Sequence, residues 1–207
     1  MQLDRPLAAI TPTLDGDVLS VLASADSQFT TGQVHRVLER FSEHGIRKVL
    51  TRLAEQGIVH AEQVGRTVAY SLNRHHLAAG PIIELGRSRS ELIDRLSDLI
   101  DGWEVQPLFA AMFGSAVRGS MRADSDIDII VIHRDDDSDL LWDAQLLDIT
   151  LAVPRWTGNR AEVMSITESD VFARGRDKLL GDVRVFGLTI GGDRTWLDRT
   201  LRAPRGQ

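Results

Sequence analysis

The sequence predicts an α+β protein made of two modules joined by a helical connector. Three helix-periodic stripes fill the first part of the chain, and two short alternating segments follow them. After a second helical stretch, short apolar runs alternate with helical segments, which is typical of a sheet flanked by helices. We therefore predict modules at residues 1–78 and 105–207, with residues 79–104 as the connector.

Composition excludes several kinds of chemistry. The 207 residues carry a formal net charge of −6 and contain no cysteine. Disulfides, zinc–thiolate sites and cysteine nucleophiles are therefore excluded. Because no signal-like or long apolar segment is evident, we expect a soluble, cytoplasmic protein with no membrane partner.

The acidic excess lies in the later part of the chain. Residues 1–75 contain eight Lys or Arg and eight Asp or Glu, so residues 76–207 account for the whole deficit. The run Asp135-Asp136-Asp137 contributes to it. We interpret this run as a solvated loop, and its closeness to the acidic motif described below leaves a lesser metal role open.

The first module has three apolar stripes with helical spacing. The stripes are Leu14, Val18, Val21 and Leu22; Val34, Val37, Leu38 and Phe41, after Thr30-Thr31; and Ile46, Val49, Leu50 and Leu53, after Ser42. Ser42 is a suitable N-cap for the third helix. The opposite face of that helix carries Arg47, Lys48, Thr51 and Arg52.

Two alternating segments, 58–63 and 67–72, are joined around Gly65-Arg66 and predict a β-hairpin. Three helices followed by a hairpin resemble the winged helix-turn-helix fold of bacterial transcription regulators. That resemblance implies that the third helix enters the major groove of double-stranded DNA and that Arg66 contacts the backbone or the minor groove. Arg47, Lys48, Thr51 and Arg52 would then meet DNA. A solvated basic face or a protein-docking surface is the alternative, and a homodimer is a further expectation from the same resemblance.

The connector is predicted to be helical. Pro81 suits a helix start and Gly102 suits a helix end. Between them, Leu92, Ile93, Leu96, Leu99 and Ile100 have helical spacing. The stripe they form is expected to pack on the second module's sheet, although pairing with a second copy is also open.

A strand ending in a Gly-Ser turn opens the second module. Leu108 to Phe113 is an apolar run, and Gly114-Ser115 follows it. Glycine lets backbone approach a ligand closely, and Ser115 can cap a helix or offer its hydroxyl to a phosphate. Arg118 suits phosphate recognition, and Gly119 would end a very short helix.

Asp126 and Asp128 lie two residues apart at the start of the apolar run 127–132. In a strand, both carboxylates project from the same face and repel each other unless a cation lies between them. Mg²⁺ accepts one or two protein carboxylates and completes its shell with water and phosphate oxygens. Two such ions could clamp the reacting oxygens of a nucleotidyl transfer.

Together these residues resemble the minimal nucleotidyltransferases of the DNA polymerase β superfamily. The resemblance covers Phe113 to Val131 and rests on Gly-Ser, then Arg-Gly, then Asp-x-Asp on the next strand. It implies that Gly114 and Ser115 bind the triphosphate and that Arg118 supports it, with Gly119 and Ser125 completing the nucleotide site. It also implies that Asp126 and Asp128 hold the metals.

The family also uses a third carboxylate on a later strand. Glu162, in the alternating segment 160–166, is our candidate for a catalytic metal ligand, although the usual residue there is aspartate. A solvent-facing strand position is the alternative interpretation. Asp148 is a second candidate, but it falls in a helical stretch.

By this resemblance the protein is expected to move a nucleoside monophosphate, with AMP as the candidate, from an NTP to a hydroxyl acceptor. Two Mg²⁺ ions, or Mn²⁺ in their place, are the expected cofactors. The acceptor would be a protein, an RNA or a small molecule. The alternative is a DNA-binding regulator, or a toxin–antitoxin component, whose transferase domain only binds nucleotide or a partner such as an antitoxin.

The rest of the second module is predicted as helices at 140–153 and 170–180 and a final strand at 183–190. Lys178 is a candidate nucleotide contact, with an ordinary surface position as the alternative.

Overall fold

The computed structural model describes residues 1–136, 139–174 and 177–202, so Asp137 lies outside the described residues. The chain divides into two compact units. One contains residues 4–89 with Gln2, and the other contains the described residues from Ser90 onward with Met1 and Leu3. In these ranges no helix combines the length and apolar character needed to cross a membrane.

The N-terminal unit has the predicted order of three helices and a β-hairpin, with one additional strand. Its elements are a 3-10 helix (Pro6–Ala9), α1 (Leu14–Ala23), β1 (Phe29–Thr30), α2 (Thr31–Val37), α3 (Glu43–Glu55), β2 (Val59–Val64), β3 (Thr67–Leu72) and α4 (Ala79–Gly86). The strands form an antiparallel sheet in the order β1-β3-β2. The sequence did not predict β1, because two residues are too few to show a period.

Helix α3 follows the prediction closely. The Ser42 side chain accepts a hydrogen bond from the Gly45 amide at 3.1 Å and so caps the helix. Ile46, Leu50 and Leu53 are buried in the core of the unit. Helix α2 is shorter than predicted: it ends at Val37, which is 64% exposed, so Val37 does not belong to the buried stripe.

A buried carboxylate binds two arginines in this unit. Asp17 is only 5% exposed, and it accepts two hydrogen bonds of 2.8 Å from Arg5 and one of 2.8 Å from Arg40. A buried charge is tolerated only when it is paired in this way. The pairs join α1 to the segment before it and to the segment after α2.

The second unit is a mixed sheet flanked by helices. Its elements are most of α5 (Ser88–Asp101), then β4 (Phe109–Phe113), α6 (Ser115–Arg118), β5 (Ile127–His133), α7 (Asp139–Thr157), β6 (Ala161–Thr167), α8 (Glu168–Arg174), α9 (Lys178–Phe186), β7 (Leu188–Gly192) and α10 (Trp196–Arg202). The strand order is β6-β5-β4-β7. Only β5 and β6 are parallel, because helix α7 returns the chain to the same end of the sheet.

Alternation along β5 divides the second unit into two cores. Ile127, Ile129 and Val131 pack with the buried residues of α5 and α7 on one face of the sheet. Ile130 and Ile132 pack with residues of α8, α9 and α10 on the other face. The predicted connector is helical, but it consists of α4 and α5 with a break at Arg87, and the stripe of α5 lies in the first of these cores.

Three predictions in the last third of the chain were wrong in detail. The predicted helix 170–180 is two helices, α8 and α9, and the predicted strand 183–190 begins only at Leu188. Val183 lies one turn from Leu180 and is buried on α9, so an apolar run that suggested a strand has helical spacing. Helix α7 continues past Pro154 to Thr157, although an interior proline removes one helix hydrogen bond and its ring crowds the carbonyl four residues earlier.

We predict that Asp17→Ala destabilises the N-terminal unit by about 2 kcal/mol, since hydrogen bonds to charged groups each contribute about 1.5–3 kcal/mol and both arginines are partly solvated. Chemical denaturation followed by circular dichroism measures this change. Asp26→Ala is the matched control, because Asp26 pairs with Arg74 but its side chain is 85% exposed. Equal stabilities of the two variants would contradict the structural role of Asp17.

Candidate functional site

The Gly-Ser turn lies directly against a carboxylate. Gly114 has φ +71°, a conformation that favours glycine. A Cβ at this position would lie 2.8 Å from Cγ of Asp128 and would collide with its carboxylate oxygen. No residue with a side chain fits here, so the glycine is required both by its backbone conformation and by its close neighbour.

The two aspartates lie where the sequence places them. Asp128 is the second residue of β5 and pairs with Phe113 of β4, the residue before the turn. Asp126 lies just before the strand, and both side chains are half-buried. The Nε atom of Arg160 lies 3.6 Å from Oδ1 of Asp126, but the Arg160 side chain is 87% exposed.

Glu162 lies beside Asp128 on the neighbouring strand. The register of β5 and β6 pairs Asp128 directly with Glu162. Paired residues of parallel strands project from the same face of a sheet, so the third candidate carboxylate faces the same side as Asp128. Glu162 is solvent-exposed.

The two neighbouring acids act on Asp128. Burial raises the pKa of the Asp128 carboxyl, and the charges of Asp126 and Glu162 raise it further, whereas a backbone hydrogen bond from Ser115 acts in the opposite direction. Like charges that crowd around a half-buried carboxylate favour either a proton or a cation. The cluster therefore has the electrostatic character of a cation site.

The donor set fits a hard divalent cation. Within the described residues, no three His, Cys, Asp or Glu side chains already converge on a common metal position. Mg²⁺ does not need such a cage, because it binds through one or two carboxylates and keeps water or phosphate oxygens as its other ligands. Asp126 and Asp128 supply that number, and Glu162 adds a neighbouring oxygen donor.

The other predicted nucleotide residues lie at the end of α6 and in the loop before Asp126. Arg118 ends the one-turn helix α6, and Gly119 follows it in the left-handed conformation with φ 72°. The Nη2 atom of Arg118 lies 2.7 Å from Oδ2 of Asp182 on α9. The Ser125 hydroxyl accepts a hydrogen bond from the Arg122 amide at 3.0 Å, so it braces the loop before Asp126.

A cavity of about 550 Å³ opens beside the turn. Its lining comprises Phe113, Gly114, Ser115, Arg118, Ser120, Asp177, Lys178, Leu179 and Asp182. The three acids are not part of this lining, but Gly114 borders both the cavity and Asp128. Lys178, the candidate nucleotide contact, also lines this cavity.

The sequence did not single out Asn159, which fixes the loop that carries Asp126. Its side chain is buried and donates hydrogen bonds to the carbonyls of Ala123 at 3.0 Å and Ser125 at 2.8 Å. The only sequence signal was a turn-like Gly158-Asn159 pair, which says nothing about a partner more than thirty residues away.

Two other acidic candidates lie away from the carboxylate cluster. Asp148 is exposed on α7, whose buried residues pack on the opposite face of the sheet from Asp128. Asp135 follows the far end of β5 and accepts a hydrogen bond of 2.8 Å from the Ser169 hydroxyl. That hydrogen bond lowers the pKa of Asp135. Neither acid joins the other three.

In the N-terminal unit, the predicted DNA contacts are all exposed. Lys48 and Thr51 lie on the outer face of α3, and Arg66 lies at the hairpin tip beside Gly65, which has φ +60°. Arg47 lies 3.1 Å from Glu43, one turn earlier. Arg52 forms an ion pair with Asp15 of α1. Both arginines are therefore paired with acids of their own unit.

Comparison with known proteins points to one activity class. Residues 89–168 match the model of the nucleotidyltransferase domain family, and this range includes the turn and all three acids. No curated protein sequence matches the chain. This match supports a transferase activity for the part of the chain that contains the turn and the acids.

Two solved structures resemble about half of the chain. One is the crystal structure of a toxin–antitoxin with AMP-PNP, and the other is that of a mutant of the toxin–antitoxin MntA-HpeT. Each structure is 15% identical to this chain, with a TM-score of 0.38, and the similarity covers 53% of this chain. It covers 80% of the first structure's own chain and 83% of the second's. Similarity this low carries no argument about function.

We predict that Asp128→Asn raises the melting temperature at pH 7 in the absence of divalent cations. The pKa of Asp128 is higher in the folded than in the unfolded protein. The wild type therefore loses stability as pH rises from about 4 through that raised pKa, and asparagine, which does not ionise, avoids this loss.

Thermal unfolding of the two proteins between pH 4 and pH 8 measures the difference. The gap is expected to widen with rising pH. Asp148→Asn is the control, because Asp148 is an exposed aspartate on α7. A gap that does not change with pH would contradict the electrostatic explanation.

Proposed function

We propose that the second unit is a metal-dependent nucleotidyltransferase that moves a nucleoside monophosphate from an NTP to a hydroxyl acceptor. The observation that carries this proposal is the contact between the Gly114-Ser115 turn and Asp128, with Asp126 and Glu162 beside it. In this arrangement the turn that would bind phosphate lies next to the carboxylates that would hold a cation. The family match over residues 89–168 supports it.

The residues of this unit divide the reaction between them. Gly114 and Ser115 would bind the triphosphate through the turn, with Arg118 and Lys178 contributing positive charge from the cavity wall. Asp126, Asp128 and Glu162 would hold Mg²⁺, with Mn²⁺ as the substitute. A bound metal ion would neutralise part of the phosphate charge and would make the acceptor hydroxyl more acidic.

Glu162 would receive the acceptor proton, since its carboxylate is exposed whereas Asp128 is half-buried. As that O–H bond breaks, the acceptor oxygen bonds to the α-phosphorus, and pyrophosphate leaves with the α–β bridging oxygen. Arg118 and the turn would stabilise the charge on the transferring group. AMP is the candidate group, and the acceptor would be a protein, an RNA or a small molecule.

A second proposed activity belongs to the N-terminal unit, which we interpret as a winged helix that binds double-stranded DNA. The exposed basic face of α3 and the arginine at the hairpin tip favour it, since these are the elements that such a fold presents to the groove and the backbone. A regulator whose second unit only binds nucleotide or a protein partner remains the competing function.

We predict that Asp126→Ala combined with Asp128→Ala reduces nucleotidyl transfer at least about 100-fold, because the cation site is lost. Purified protein is incubated with each α-labelled NTP and Mg²⁺, alone and with cell lysate, and labelled products are resolved. In parallel, Mg²⁺ with a non-hydrolysable NTP is expected to raise the melting temperature of the wild type but not of the double variant.

The matched control is Asp143→Ala combined with Asp148→Ala. It removes the same charge from exposed positions of α7, which packs on the other face of the sheet. Full transfer by the Asp126/Asp128 variant would exclude this site. Wild-type protein that binds nucleotide without transferring it would favour the regulator.

We predict that Arg47→Ala combined with Arg52→Ala weakens DNA binding. If each arginine meets one phosphate, the slope of log K against log salt should fall by about 2. Fluorescence anisotropy with duplex DNA over a salt series measures both quantities. The control is Arg74→Ala combined with Arg87→Ala, which changes the charge equally but leaves α3 and the hairpin tip intact. Equal effects of the two double variants would exclude α3 as the DNA-binding element.

A further inference from the structure

Arg118 has two partners on one helix. Its Nη2 atom lies 2.7 Å from Oδ2 of Asp182, and its guanidinium carbon lies 5.3 Å from the centre of the Phe186 ring. Asp182 and Phe186 are four residues apart on α9, so they share a face of that helix. Stacking under the guanidinium also gives a role to Phe186, an aromatic residue that is otherwise 53% exposed.

Helix α9 is a rigid support for these contacts. Leu180 and Val183 lie in the core formed with the sheet, at 0% and 1% exposure. The Asp177 side chain caps the helix by accepting a hydrogen bond of 3.1 Å from the Leu179 amide. Because the buried face of α9 is fixed, its opposite face presents Asp182 and Phe186 at defined positions.

The ion pair leaves Arg118 with unused donors. A guanidinium has five N–H groups in one plane, and its phosphate recognition depends on the orientation of that plane. Asp182 engages one end of the group, and Phe186 covers one of its faces. The remaining donors belong to a side chain that lines the cavity beside Gly114 and Ser115.

The described lining of the cavity carries no net charge. Among the residues that the structure describes, its charged members are two cations, Arg118 and Lys178, and two anions, Asp177 and Asp182. A triphosphate entering it would meet no net positive charge from these side chains. The carboxylate of Asp182 therefore weakens the attraction for the anion while it holds Arg118 in place.

We propose that Asp182 is a positioning residue that orients Arg118 toward the triphosphate and, by its charge, weakens binding of the nucleotide before reaction. The inference rests on the proposed transferase function. Asp182 then has two opposing effects. By orienting Arg118 it raises the rate of transfer, and by its negative charge it lowers the affinity for the nucleotide.

The test is Asp182→Asn, with the dissociation constant of a non-hydrolysable NTP and the kcat of transfer measured separately. Removing the charge is expected to tighten binding about 2- to 5-fold, since the interaction of one partly exposed charge is involved. The kcat is expected to fall about 10-fold, because asparagine holds the guanidinium less firmly. Asp182→Glu, which restores a carboxylate, is expected to recover most of the kcat.

Two controls separate charge and packing from orientation. Asp177→Asn removes the same charge from the same cavity and keeps a side chain that can cap α9, so it should tighten binding in the same direction. Asp198→Asn removes the partner of Arg184, 3.9 Å away, and so perturbs an α9 contact outside the cavity lining. It should leave binding and kcat at wild-type values.

Tighter binding with a lower kcat in Asp182→Asn alone supports the inference. An unchanged kcat, or binding and kcat that fall together without recovery in Asp182→Glu, would overturn it while wild-type transfer still stands. If the wild type neither binds nor transfers nucleotide, the proposed function fails and the inference fails with it.

Discussion

The close approach of Gly114 to Asp128 is the constraint on which the second unit's site depends. It requires glycine at the turn, and it places the carboxylate against backbone rather than in open solvent. The pairing of Phe113 with Asp128 fixes this contact within the sheet, so strand register determines the site's geometry. The same closeness gives Asp128 its partial burial and hence its raised pKa. One contact thus links the sheet, the turn and the electrostatics.

Alternation along β5 divides its residues between the two faces of the sheet. Residues of β5 on one face pack against α5 and α7, whereas Asp128 shares the other face with Ile130 and Ile132. Helix α9 covers that second face and also supplies part of the cavity lining. The helix that completes the core therefore also brings Asp182 to Arg118, which joins the stability of the unit to the orientation of that arginine.

Both units keep arginines paired with their own acids. Arg118 binds Asp182, and in the N-terminal unit Arg47 and Arg52 bind Glu43 and Asp15. Exposed pairs of this kind contribute only about 0–1 kcal/mol each, so a phosphate can replace the carboxylate at a small loss. The pairs restrict the arginine side chains and reduce their attraction for anions. The pairing with Asp17 differs, because that acid is buried and serves the fold.

The sequence by itself determined the helices and strands that have strong periodicity, the Gly-Ser turn and the two aspartates, because these signals lie within a few neighbouring residues. Tertiary structure decided the rest. The pairing of Glu162 with Asp128 depends on the register between two strands separated by a long helix. The hydrogen bonds of Asn159 and the ion pair of Arg118 with Asp182 likewise join residues more than thirty positions apart. Local sequence patterns carry no information about such partners, since these contacts form only when the strands pair and helices pack on the faces of the sheet.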